Sequence, residues 1–138
     1  MHFPPTDIRA RTSYSTPNIP ALMTLPLVLE EHWAMGGAAA KGARLNYLRN
    51  RWVAAARQLP GVEVLTPDDP RLYCGITSMR FTRHADQQTM VERLLNEYNL
   101  FTVTRSGAAC GPCIRITPGL TTTAADMDVL VRALTELG

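Results

Sequence analysis

The chain has 138 residues, 14 Lys plus Arg against 12 Asp plus Glu, and 46% hydrophobic residues. A chain of this length buries roughly two thirds of its unfolded surface and needs no disulfide or metal staple to hold a core. The formal charge of +2 is spread over arginines from Arg9 to Arg132, with Lys41 the single lysine, so there is no cationic stripe for nucleic acid, and no apolar run reaches the roughly 18 residues of a membrane span. The start, Met1 to Asp7, has neither the basic nor the apolar region of a secretory signal. Three cysteines without such a signal fit a reducing compartment, so the expected location is the cytoplasm.

Five of the ten prolines lie in the first 26 residues, among Thr6, Thr12, Ser13, Ser15, Thr16 and Asn18, which predicts an extended lead-in over residues 1–18 and a domain over 19–138. Asn18 or Thr16 can cap a helix from about Pro20 to Met35, with Pro20 tolerated in the first turn and Pro26 expected to kink it. Gly36-Gly37 breaks the chain. A second helix follows from Ala38 to Leu59, with Leu45, Leu48, Trp52, Ala55 and Leu59 on one side and Lys41, Arg44, Arg51 and Arg57 on the others.

Val62-Glu63-Val64 alternates as a short strand, and a longer strand is expected from Leu72 to Phe81, with Cys74 packed inside it. A third helix after Asp86 aligns Met90, Val91, Leu94, Leu95 and Tyr98; strands follow at Leu100 to Thr104 and Cys113 to Thr117. Thr123 with Asp126 reads as a capping box opening a last helix that buries Met127, Leu130, Val131, Leu134 and Leu137. Four helices and about four short strands predict an α+β fold, a small, mostly antiparallel sheet with helices on one face.

Little in this pattern announces chemistry. His2, His32 and His84 lack a second metal ligand at helical or hairpin spacing, so no metal site is assigned. Gly36 to Gly42 lacks the Gly-Lys-Ser/Thr ending of a phosphate loop. Cys110-Gly111-Pro112-Cys113 has the spacing of a redox pair but lies between two strands and opens no helix whose N-terminus would lower a thiol pKa, which leaves a loop thiol and a core thiol. Arg115 projects from a strand between Ile114 and Ile116, and a guanidinium held that rigidly is suited to bidentate capture of a carboxylate.

The order Ser15-Thr16-Pro17-Asn18-Ile19-Pro20-Ala21, a helix pair, Leu65-Thr66-Pro67, Gly75-Ile76-Thr77-Ser78-Met79-Arg80-Phe81, Cys113-Ile114-Arg115-Ile116-Thr117-Pro118 and Thr123 to Asp128 resembles the C-terminal part of class V aminotransferases. These are fold-type-I pyridoxal-phosphate enzymes that include cysteine desulfurases and isopenicillin N epimerase-like proteins, and the resemblance runs from about Ser15 to Leu137. It implies the small domain of such an enzyme. Ser15-Thr16 then match a Gly-Thr pair that donates to the cofactor phosphate, typically in the other subunit of a homodimer, with serine replacing the glycine. Arg115 matches an arginine that binds the α-carboxylate of an amino-acid substrate.

The stretch Thr104 to Cys110 resembles the loop that carries a nucleophilic cysteine in one desulfurase branch. The spacer from Cys110 to Arg115 is much shorter here and both loop histidines are absent, so Cys110 is not assigned as a nucleophile. The family's Schiff-base lysine precedes its Gly-Thr pair in a large N-terminal domain, whereas Lys41 follows Ser15-Thr16. The resemblance therefore implies a transferase fragment with no catalytic residue of its own, inactive alone, whose cofactor is held by a large domain missing from this chain. A free-standing interaction or regulatory domain that kept the fold and lost catalysis is the alternative, and a thiol redox module at Cys110 and Cys113 a third reading. Met1 suits either a natural start or a boundary within a longer reading frame.

Overall fold

The computed structural model describes residues 4–8, 18–107 and 109–138. The chain divides into two compact units, residues 1–37 and 38–138. In the first, Asn18 caps the helix α1 (Ile19–Ala34): its side chain accepts from Ala21 N at 3.1 Å, and Pro20 falls where no intrahelical donor is needed. Pro26 lies inside α1. The helix closes through Met35 N to Glu31 O and Gly36 N to Trp33 O, and the chain then passes through Gly36 at φ 85° and Gly37 at φ 63°. A Cβ at Gly37 would stand 3.0 Å from the Trp33 ring, so both conformation and space call for glycine there. No residue of α1 is buried.

The second unit runs through α2 (Gly37–Ala56, from Ala38 on), β1 (Val62–Val64), β2 (Thr77–Phe81), α3 (Gln87–Tyr98), β3 (Val103–Arg105), β4 (Cys113–Ile116) and α4 (Ala124–Leu137). The strands form one antiparallel sheet in the order β1-β2-β4-β3. Val62, Met79, Phe81, Ile114 and Ile116 share one core with Leu48, Trp52 and Val53 of α2, Met90 and Leu94 of α3, and Leu130 and Leu134 of α4. This is the α+β layer that the sequence predicts, with the helices on a single face.

Local chemistry sets the ends of these elements. Asp86 caps α3 by accepting from Gln88 N at 2.9 Å, and the buried Gln87 side chain bonds the backbone N–H and carbonyl of Phe81, tying the end of β2 to the start of α3. Asn99 takes the left-handed conformation after α3, and Leu100 N donates to Leu94 O, so the chain is still turning where a strand from Leu100 was expected. β3 therefore begins only at Val103. At α4 the expected capping box is present: Thr123 Oγ1 accepts from Asp126 N at 3.1 Å and Asp126 Oδ2 from Thr123 N at 2.8 Å.

The long strand expected from Leu72 is shorter in the structure. Asp69 turns the chain by accepting from Arg71 N at 3.0 Å while its carbonyl accepts from Leu72 N, and Gly75 lies close against Leu45 of α2. Extended pairing starts at Thr77, and Cys74 is an exposed loop residue, not a packed strand residue. The second helix likewise ends at Ala56, before the expected Leu59, because Gln58 N and Leu59 N turn back to Ala55 O and Ala56 O three residues away.

Candidate functional site

Alternation along the strands gives the sheet two unlike faces. Ile114 and Ile116 of β4 enter the core, and Arg115 projects to the opposite face, paired in register with Ser78 of β2 and Val103 of β3. Arg80 of β2, Glu63 of β1 and Arg105 of β3 belong to the same face. Arg80 is satisfied there, donating from Nε to Glu63 Oε2 at 2.7 Å and from Nη1 to Cys110 O at 2.6 Å, which pins the loop before β4 against the sheet. Arg115 differs. It is half-buried, and its Nε is buried with no hydrogen-bond partner among the described residues. Buried donors in proteins are satisfied by protein, water or a ligand, so the acceptor for this Nε comes from outside the described residues.

The other residues singled out from the sequence are distributed as follows. Ser15 and Thr16 lie outside the described residues. Cys110 is exposed in a turn and Cys113 is buried at the start of β4, and both thiols are free. His84 stands edge-on to Phe81 and His32 edge-on to Trp33. Among the described residues no group of three or more His, Cys, Asp or Glu is placed to hold a metal ion, and no helix is long and apolar enough to cross a membrane.

The face around Arg115 does not fit pyridoxal phosphate as a resident cofactor. Its strand residues are Glu63, Ser78, Arg80, Val103, Arg105, Cys113 and Arg115, with no amine for an imine and no aromatic ring to stack on a pyridine. Its carboxylate, Glu63, is taken by Arg80. Lys41, the one lysine of the sequence, is on α2. What this face offers is a guanidinium with an open donor.

The arginines of α2 are less alike than the sequence implied. Arg44 donates to Thr122 O at 2.7 Å, and Arg51 grips Asp128 with two hydrogen bonds of 2.7 Å, so both lock α2 to the start of α4. The Arg51 hydrogen bonds hold the Asp128 carboxyl below the ordinary aspartate range. Arg49, which sequence reasoning passed over, is only 1% exposed. A signal was present: Arg49 stands four residues after Leu45, three before Trp52 and four before Val53, on the apolar side of the helix.

The fold has counterparts among solved structures. A mutant of C-DES with glycine covalently linked to its pyridoxal-phosphate cofactor is similar at a TM-score of 0.73 and 22% identity, over 94% of this chain and 32% of that one. C-DES, a cystine C-S lyase, in complex with its product cysteine persulfide is similar at 0.71 and 20% identity, over 92% and 32%. A NifS-like protein is similar at 0.68 and 18% identity, over 89% and 34%. At these identities the likeness is one of fold, and it is the fold that the resemblance of the sequence implied. The chain spans about a third of the length of these structures, and the rest of their fold has no counterpart in it. No family model and no curated protein matches the chain.

Proposed function

We propose that the chain acts as the small domain of a class V pyridoxal-phosphate enzyme, presenting Arg115 to the α-carboxylate of an amino-acid substrate in a site whose cofactor is held by a separate large domain. The observation that carries this reading is the open, buried Nε of Arg115 on the sheet face turned away from the core. A carboxylate accepts from a guanidinium fork through two parallel hydrogen bonds, and pairing of β4 with β2 and β3 sets Arg115 on the sheet face turned away from the core. The cofactor, when bound by the large domain, supplies an electron sink for the substrate's α-carbon. Arg115 binds and orients the substrate and moves no proton. Ser15 and Thr16 take the role of phosphate contacts across a homodimer interface, and residues 19–138 form the domain. A cytoplasmic location and lack of activity in the isolated chain belong to the same reading.

The test is steady-state kinetics of the assembled enzyme, this chain together with its large domain. Arg115→Ala is expected to raise KM for the amino acid at least tenfold, with the unfolding free energy within about 0.5 kcal/mol of the parent. Arg115→Lys should recover part of the loss. An unchanged KM removes Arg115 from the site.

α1, apolar on every side and burying nothing in its own unit, is the kind of surface that a fragment leaves open where its large domain would sit, and a free-standing interaction domain, the second reading, would turn the same surface to another protein partner. Under that reading Arg115→Ala leaves function intact, and acidic residues placed on α1 abolish it.

A further inference from the structure

Between α2 and the turn-rich segment 66–73 lies a cavity of about 260 Å³ lined by Arg49, Asn50, Val53, Arg57, Asp68 and Tyr73. We propose that this cavity binds a small oxyanion, a phosphoryl or carboxylate group, between Arg49 and Arg57.

The argument begins with burial. Arg49 is 1% exposed, yet of its guanidinium atoms only Nη1 makes a hydrogen bond, to Asn50 Oδ1 at 2.8 Å; Nε and Nη2 have none. A guanidinium taken out of water loses its hydration and regains stability only when its donors are matched. The group is also held in one orientation, since its central carbon sits 3.4 Å from the centre of the Tyr73 ring. Arg49 is thus a rigid fork with open donors in the wall of a cavity.

The second cation and the charge balance point the same way. Asp68 Oδ1 stands 3.5 Å from Arg49 Nη2 and 3.7 Å from Arg57 Nη2, near both guanidinium groups and making a hydrogen bond with neither. Arg57 meanwhile donates to Thr66 O at 3.1 Å, which keeps it at the rim. One carboxylate between two cations leaves the cavity with a net positive charge. The Asp68 side chain is 65% exposed, so it can swing into solvent and yield its place. The position of its oxygen shows where an oxygen of an incoming anion is drawn. None of these residues belongs to the Arg115 face, so the site stands or falls independently of the function proposed above.

The experiment titrates inorganic phosphate, and separately acetate, into the 138-residue chain at constant ionic strength set by chloride, with binding read by calorimetry and by the Nε–Hε NMR signals of Arg49 and Arg57. Saturable binding of at least one anion is expected at the Arg49 and Arg57 signals, with Arg57→Gln weakening it tenfold or more and Arg132→Gln, on the exposed side of α4, leaving it unchanged. Binding of phosphate without acetate assigns a phosphoryl ligand, and the converse a carboxylate. Asp68→Asn separates this reading from a merely structural ion pair: removing the competing carboxylate should tighten anion binding several-fold. The proposal is overturned by the absence of saturable binding beyond the chloride background. It is equally overturned by binding that Arg57→Gln does not weaken or, should that variant fail to fold, by binding that Asp68→Asn does not tighten.

Discussion

α1 and α4 are helices of 16 and 14 residues that treat their apolar side chains in opposite ways. In α4, Met127, Leu130, Leu134 and Leu137 recur every three or four residues and are all buried, with Asp128, Arg132 and Glu136 on the remaining surface. In α1, Leu22, Met23, Leu25, Leu27, Val28, Leu29 and Trp33 surround the axis and every one is exposed. A stripe can be buried by one neighbouring layer, whereas a helix that is apolar all round needs neighbours on several sides. Placement around the axis, not apolar content, decides what a small unit can bury.

The sharpest way to break this contrast is to remove a buried side chain from the second unit. Trp52 is fully buried where α2 meets the core. Trp52→Ala is expected to cost about 3–5 kcal/mol, from lost transfer free energy and the cavity left behind. Against a total stability of roughly 5–15 kcal/mol, that brings the domain close to unfolding at room temperature. Urea denaturation followed by circular dichroism measures it. A loss below about 1 kcal/mol would show that the site collapses around the gap and that the core is less closely packed than described.

A smaller effect is expected at the start of α4. Thr123→Ala removes the acceptor for Asp126 N and should cost about 1 kcal/mol. The reciprocal half of the box is pH-dependent. Backbone and side-chain hydrogen bonds from Thr123 hold the Asp126 carboxyl below its ordinary value of 3.8, and Arg51 does the same to Asp128. Because the folded-state values are depressed, this stabilisation is present above the ordinary carboxylate range and disappears as pH falls through the depressed values. Unfolding midpoints measured downward from pH 6 should therefore drop once pH passes below about 4. Asp126→Asn should flatten part of that slope, and an unchanged slope would detach α4's cap from acid stability.

How much of this was legible in the sequence depended on whether a feature was periodic or contingent. Helices α2, α3 and α4 and the alternation of β4 follow from spacing, α1 from its cap and the proline in its first turn, and the capping box of α4 from two residue types three apart. The position of Arg115 between two buried isoleucines was readable for the same reason, but the open state of its Nε was not, since this depends on what β2 and β3 place beside it. The strand expected from Leu72 was too long because the Asp69 turn is local side-chain chemistry that an apolar run conceals. Arg49 was passed over because arginine is so seldom buried that its residue type outweighed its spacing. Its burial rests on Tyr73, 24 positions along the chain and brought near only by the fold.

The smallest expected effect tests the other side of the comparison. Leu25 in α1 is half exposed and helps bury nothing within its unit. Leu25→Ser removes apolar surface that water already reaches, so in the 138-residue chain the unfolding free energy should move by less than about 0.5 kcal/mol. If α1 serves as the surface on which a large domain sits, the same substitution should weaken association with that domain at least tenfold, because the serine hydroxyl is then desolvated without a partner. A change confined to association sharpens the contrast between the helices. A loss of stability in the isolated chain comparable to that of Trp52→Ala would erase it, since α1 would then be part of a core within the chain itself.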